Sequence, residues 1–191
     1  MAKKRVFVAV NLPDDIRRDL EKKIDKIRDQ FGEEVRFLTP ENWHLTITFL
    51  GYQTDDDIYR INQAVEETAG VFDAPLIRFE KIVYGPVGKT SRMIWLTGAE
   101  ETSRQLGEIK AGLERKLSDA GIRFEEEHRR YNAHLTLARF SAVGRQSLPG
   151  LDEPFGREFH ASSLDLMESH LRRGGAQYES LSQFDFGGKK S

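Results

Sequence analysis

Between residues 5 and 12 the chain alternates Val6, Val8 and Val10 with Phe7 and Ala9, so both phases are apolar and a strand covered on both faces is predicted. Pro13 opens the next segment, Asp14 and Asp15 occupy its first turn, and Ile16, Leu20, Ile24 and Ile27 recur at helical spacing to about residue 30. A short strand at 35–38, a turn at 39–42 and a longer strand at 43–52 follow. Thr54, followed by three aspartates, caps a second helix to about 69, with Ile58, Ile61 and Val65 on its inner side. Strands at 76–84 and 93–97 flank a polar loop at 85–92. The longest helix is expected over 100–120, where Leu106, Ile109, Leu113 and Leu117 form one stripe and Gly121 stands just past the end. A strand at 133–140, a Gly/Pro/Ser-rich loop at 141–154, and two last strands at about 157–169 and 178–186 around a turn at 171–176 complete the pattern.

This order suits an α+β protein with antiparallel sheets. At 191 residues it implies one compact domain or two small lobes that share an interface. The 29 basic and 31 acidic side chains give a net charge of −2, which argues against a polyanion binder held by overall charge. There is no cysteine, which removes disulfides, thiolate metal sites and a cysteine nucleophile. The start MAKKRVFVAV lacks the apolar length and cleavage site of a signal peptide, and no membrane-length apolar run occurs, so a cytoplasmic protein is expected.

One tripeptide changes this neutral picture. His-Leu-Thr occurs at 44–46 and again at 134–136, 90 residues apart, each time inside a predicted strand. Alternation places His44 and Thr46 on one face and Leu45, Ile47 and Phe49 on the other, and the second copy repeats this with Leu135 and Leu137 behind His134 and Thr136. An internal duplication, each half giving one strand to a shared cleft, explains the spacing. Histidine titrates near neutrality, so one copy can take a proton while the other gives one, as in-line displacement at phosphorus requires. Threonine hydroxyls can donate to the non-bridging oxygens.

Other positions are secondary. Arg139 has the strand parity of Leu135 and Leu137, so ideal alternation turns it away from His134 and only a bulge would bring it to phosphate. Trp43 and Tyr131 precede the motifs and are candidates for stacking a base, with burial in the core as the competing role. Arg92, Arg129, Arg130, Arg172 and Arg173 could form a local basic rim for an RNA backbone. Gly85 to Thr90 imitates a phosphate loop but has Val83 where the first glycine belongs. His128 among Glu125, Glu126 and Glu127 has no second ligand cluster, and His160 and His170 have no partner motif.

HLTITFLG at 44–51 and HLTLARF at 134–140 resemble the paired signatures of the 2H phosphoesterase superfamily, and more closely those of the RNA 2′,3′-cyclic phosphodiesterases, historically called 2′-5′ RNA ligases. RVFVAVNLP, VRFLTPENWHLTITFLG, MIWL at 93–96 and SHLRRGGAQYESLSQFDF at 169–186 extend the resemblance over nearly the whole chain. It implies a single bilobal α+β domain over 1–191, with two antiparallel sheets in pseudo-two-fold symmetry around a central cleft, helices on the outer faces, and a monomeric state. It also implies His44 as general acid, His134 as general base, and Thr46 and Thr136 as phosphate-orienting groups. Arg139, Trp43, Tyr131 and Arg92 remain candidates for substrate binding. The implied substrate is RNA or a nucleotide with a 2′,3′-cyclic phosphate, the product a 2′-phosphate end, and neither metal nor other cofactor is called for. The alternatives are 2′-5′ RNA ligation, the same chemistry reversed, and a nucleotide- or RNA-binding module without catalysis.

Overall fold

The computed structural model describes residues 3–86, 90–140, 148–172 (backbone only at Arg172) and 175–187. Its elements are β1 (Lys4–Asn11), α1 (Asp14–Arg28), β2 (Val35–Phe37), a 3-10 turn (Pro40–Asn42), β3 (His44–Gln53), α2 (Asp55–Val71), β4 (Leu76–Gly85) and β5 (Met93–Gly98). Then come α3 (Glu100–Asp119), β6 (His134–Phe140), β7 (Asp152–Pro154), β8 (Glu158–His160), β9 (Ser163–Arg172) and β10 (Gly175–Asp185). One sheet has the order β10-β9-β1-β3, and the other β2-β6-β5-β4-β7 with β8 paired to β4. All pairings are antiparallel.

The two halves repeat one plan. β1 leads into α1 and lies beside the motif strand β3, while β5 leads into α3 and lies beside the motif strand β6. Burial along 43–50 and 133–140 follows the same eight-position sequence, so the halves share a backbone conformation where their side chains differ. Buried residues from both sheets and all three helices join one core, including Val8, Leu20, Leu45, Val65, Leu113 and Leu135. Each such aliphatic side chain contributes about 1.5–3 kcal/mol when fully removed from water.

The helices form where periodicity and caps agree. Thr54 Oγ1 accepts from the Asp57 backbone N–H at 3.2 Å, and Asp57 Oδ2 accepts from the Thr54 N–H at 3.1 Å, a reciprocal cap for α2. Gly121, with φ +72°, closes α3 in the left-handed conformation that glycine adopts without strain. α1 is tied to the second sheet's periphery rather than to its own strand alone, through Lys23–Glu153 at 2.6 Å and Arg157–Asp15 at 3.1 Å.

The penultimate strand departs from expectation. A single strand over 157–169 is in fact two: β8 ends at His160 and pairs with β4, whereas β9 starts at Ser163 and pairs with β1 and β10. The chain crosses between sheets at Ala161, whose burial among the core residues anchors the step. The last turn is also shorter, because β9 and β10 extend to Arg172 and Gly175. Within the loop expected at 141–154, Asp152–Pro154 adds β7 to the edge of the second sheet.

Candidate active site

Both motif strands carry a bulge at the same place. In β3 the partners of Ala9 and Val8 are Thr46 and Thr48, and in β6 the partners of Trp95 and Ile94 are Thr136 and Ala138, so Ile47 and Leu137 are the extra residues. An extra residue reverses the alternation beyond it. Leu45, Ile47, Leu135 and Leu137 are buried as expected, but Phe49 is not with them: it pairs with Phe7, stacks on that ring at 5.6 Å and is 42% exposed. The expectation that Phe49 points into the core is therefore corrected. For the same reason Arg139 is on the His134 face: it pairs with Met93, which is in phase with Trp95 and Thr97, the partners of Thr136 and His134. The Thr136 hydroxyl reaches the Met93 sulfur at 3.9 Å, which confirms that common face.

Each histidine is held from behind and from below. His134 Nδ1 lies 2.7 Å from the Asn132 carbonyl, and the Asn42 backbone accepts from the His44 ring in the same relation. A proton committed to the carbonyl leaves the other ring nitrogen as the reactive one. Trp95 stacks under His134 with ring centroids 3.9 Å apart. Phe7 and the edge of Tyr178 both lie 4.8 Å from the His44 ring. These apolar neighbours disfavour the imidazolium: burial lowers His44 to about 4, and lowers His134 below its usual range against the opposing hydrogen bond its ring donates to the Asn132 carbonyl.

A cleft of about 680 Å³ opens beside these faces, lined among others by Thr46, Phe49, Trp95, Tyr131 and His134. Residues of both motifs thus border one space, and β3 and β6 lie against each other. Tyr131 has a second function besides lining the cleft: its hydroxyl donates to the Thr46 carbonyl at 2.7 Å, bracing one motif from the other half. Asn11, the cross-strand partner of His44, donates to Asp165 at 2.5 Å.

Trp43 cannot stack a base. It is 1% exposed within the core, because it precedes His44 and therefore shares the face of Leu45. Arg92 is exposed just before β5. Arg129 and Arg130 border the cleft but are paired, with Glu127 and, at 2.8 Å, with Glu100. Arg173 and the Arg172 side chain lie outside the described residues. His160 faces the Ala74 carbonyl at 3.3 Å, and His170 lies between Glu168 and Glu179, so both have local structural partners. Of the phosphate-loop look-alike at 85–90, residues 87–89 lie outside the described residues; at Gly85 a Cβ would stand 2.2 Å from the Trp95 ring, so its bareness seats the indole that supports His134.

Sequence reasoning missed Asn42 and Asn132, Trp95, and the Phe7–Tyr178 pair. The asparagines were readable, since the repeated unit is Asn-x-His-Leu-Thr in both halves. The aromatic supports come from neighbouring strands and follow only from register.

Comparison with known proteins agrees with this arrangement. The model of the LigT-like phosphoesterases matches at residues 10–95 and 97–178, one segment around each motif. The chain belongs to the LigT-like phosphoesterase family. An RNA 2′,3′-cyclic phosphodiesterase of Thermus thermophilus is 30% identical over 188 residues, covering 97% of this chain and 91% of that protein. A protein of the same name from Archaeoglobus fulgidus is 29% identical over 188 residues, covering 95% and 99%. The crystal structure of TT0787 from Thermus thermophilus superposes with a TM-score of 0.79 at 26% identity, covering 97% of this chain and 99% of that one. E. coli LigT in its apo form shares the fold at TM-score 0.73 and 23% identity, again over 97% and 99%. The α+β fold with two antiparallel sheets is thus the fold of LigT-like phosphoesterases.

Proposed function

We propose that this protein hydrolyses RNA or nucleotide 2′,3′-cyclic phosphates to 2′-phosphate ends, with its two motif histidines as acid and base. The observation that carries the reading is that Thr46 of one motif and His134 of the other line a single cleft, each beside its motif partner on the same strand face. The names of the Thermus and Archaeoglobus relatives support the substrate class.

In the proposed step His134, neutral, takes a proton from water as its oxygen bonds to phosphorus. The P–O3′ bond breaks, and His44 gives its proton to the departing 3′ oxygen, which leaves the phosphate on O2′. Thr46 and Thr136 donate to the non-bridging oxygens, and Arg139, turned to this face by the bulge, offsets their charge. The apolar supports of the rings bear on the proton supply. With both groups lowered in the free protein, the acid's proton is taken up with the anionic substrate, whose charge favours the imidazolium.

The test is to incubate adenosine 2′,3′-cyclic phosphate with the protein in EDTA and identify the product by phosphorus NMR. The reading expects 2′-AMP and undiminished turnover; 3′-AMP would reverse the direction of cleavage, and an intact substrate would remove the hydrolase assignment. RNA halves with cyclic and hydroxyl ends in the same assay report ligation, the reverse reaction, as joined strands.

A further inference from the structure

We propose that Arg36 and Arg139 hold two consecutive phosphates of an RNA strand, which makes an oligonucleotide end, rather than a cyclic mononucleotide, the preferred substrate. The inference rests on the cyclic-phosphate reading above and extends it by one nucleotide. Arg36 of β2 stands directly opposite Arg139 of β6, and both are exposed. Because Arg139 shares the His134–Thr136 face, its cross-strand partner Arg36 does too, one strand further out at about 4.8 Å.

Like charges placed directly opposite destabilise a sheet unless an anion lies between or beside them. Several arginines of this protein are paired with carboxylates: Arg78 with Glu158 at 2.8 Å, Arg104 with Glu108 at 2.6 Å, Arg157 with Asp15 at 3.1 Å. Among the described residues no carboxylate pairs with Arg36 or Arg139. The Gly175 backbone lies against the Arg36 guanidinium. A Cβ at Gly175 would stand 2.6 Å from its Nη2, and that glycine has φ +124°, so the start of β10 gives the guanidinium a shelf without neutralising it. An arginine fork held on a bare backbone, on the strand face that carries His134 and Thr136, is suited to a phosphodiester, which it binds through two parallel N–H donors. With Arg139 beside the reacting phosphate, the anion within reach of Arg36 is the internucleotide phosphate on its 5′ side.

The experiment compares adenosine 2′,3′-cyclic phosphate with an RNA tetranucleotide bearing the same cyclic end, using wild type, Arg36→Gln and Arg36→Lys. It adds the salt dependence of binding for a tetranucleotide ending in a 3′-phosphate. Arg36→Gln is expected to lower the tetranucleotide-to-mononucleotide ratio of kcat/KM about tenfold. It should also reduce the slope of log K against log salt by about 0.7, one single-strand phosphate contact, while Arg36→Lys keeps that slope. Equal losses on both substrates would place Arg36 at the reacting phosphate and overturn the proposal, as would an unchanged ratio and slope in Arg36→Gln. If the wild type turns over neither substrate, the hydrolase reading fails, and the salt slope alone still decides for or against the Arg36 contact.

Discussion

At the scale of single residues, the two histidines are set by their surroundings rather than by type alone. Histidine in water titrates at about 6.5. Here Phe7 and Tyr178 around one ring, and Trp95 under the other, lower both. In the proposed mechanism the reactive free enzyme carries one proton on the pair, so kcat/KM is expected to peak on the acid side of pH 6.5 and to fall above it. The profile of kcat should peak at higher pH, because bound phosphate raises both groups. At pH 7, binding of 2′-AMP should draw protons from solution; calorimetry in two buffers of different ionisation enthalpy measures them, and zero uptake would count against this electrostatic picture. His44→Ala and His134→Ala should each lower kcat by about 10²–10⁴-fold with unchanged circular dichroism. Arg139 teaches a related lesson. Its identity was visible in the sequence, yet its direction depended on Leu137 being a bulge.

At the scale of elements, the two bulges are what make a strand into half of a site. Without the extra Ile47 and Leu137, residues beyond each threonine would alternate back into the core, and Phe49 and Arg139 would not share a face with the histidines. The halves are alike in backbone but not in what they present: an aromatic ring at 49, a guanidinium at 139. That asymmetry follows from side chains on a duplicated frame. Two substitutions test the supports. Gly85→Ala should push Trp95 off His134, since the new methyl would meet the indole, and shift the acid limb of kcat/KM toward ordinary histidine values. An unchanged profile in a folded variant would show that the stacking does not tune the ring. Tyr131→Phe removes the bond to the Thr46 carbonyl and should cost about 1 kcal/mol of stability in urea titration, with a drop in kcat as the first motif loses its brace.

At the scale of the whole molecule, a protein that buries neutral imidazoles pays in acid. The unfolded chain protonates His44 as pH falls through about 6.5, whereas the folded protein resists until about 4. The unfolded state binds more protons in that window, so stability should fall as pH drops from 6.5 toward 4, and His44→Gln should flatten the fall; equal slopes in thermal melts would contradict the sign. Most of the architecture was legible without coordinates, because alternation, helical stripes and caps are local signals: the strand at 4–11, the cap at Thr54 and the helix ending before Gly121 lie where the pattern puts them. The break between β8 and β9 was not, since no local residue marks which sheet a strand joins. The same division runs through the site. His-Leu-Thr, written twice, was enough to nominate the candidate acid and base, because acid-base chemistry follows from residue type and strand parity from spacing. Which neighbours desolvate the rings, which way Phe49 and Arg139 point, that Trp95 lies under His134, and that Arg36 faces Arg139 were decided by register between strands far apart in the chain. Register is a property of pairing, and pairing is settled only when the whole core closes.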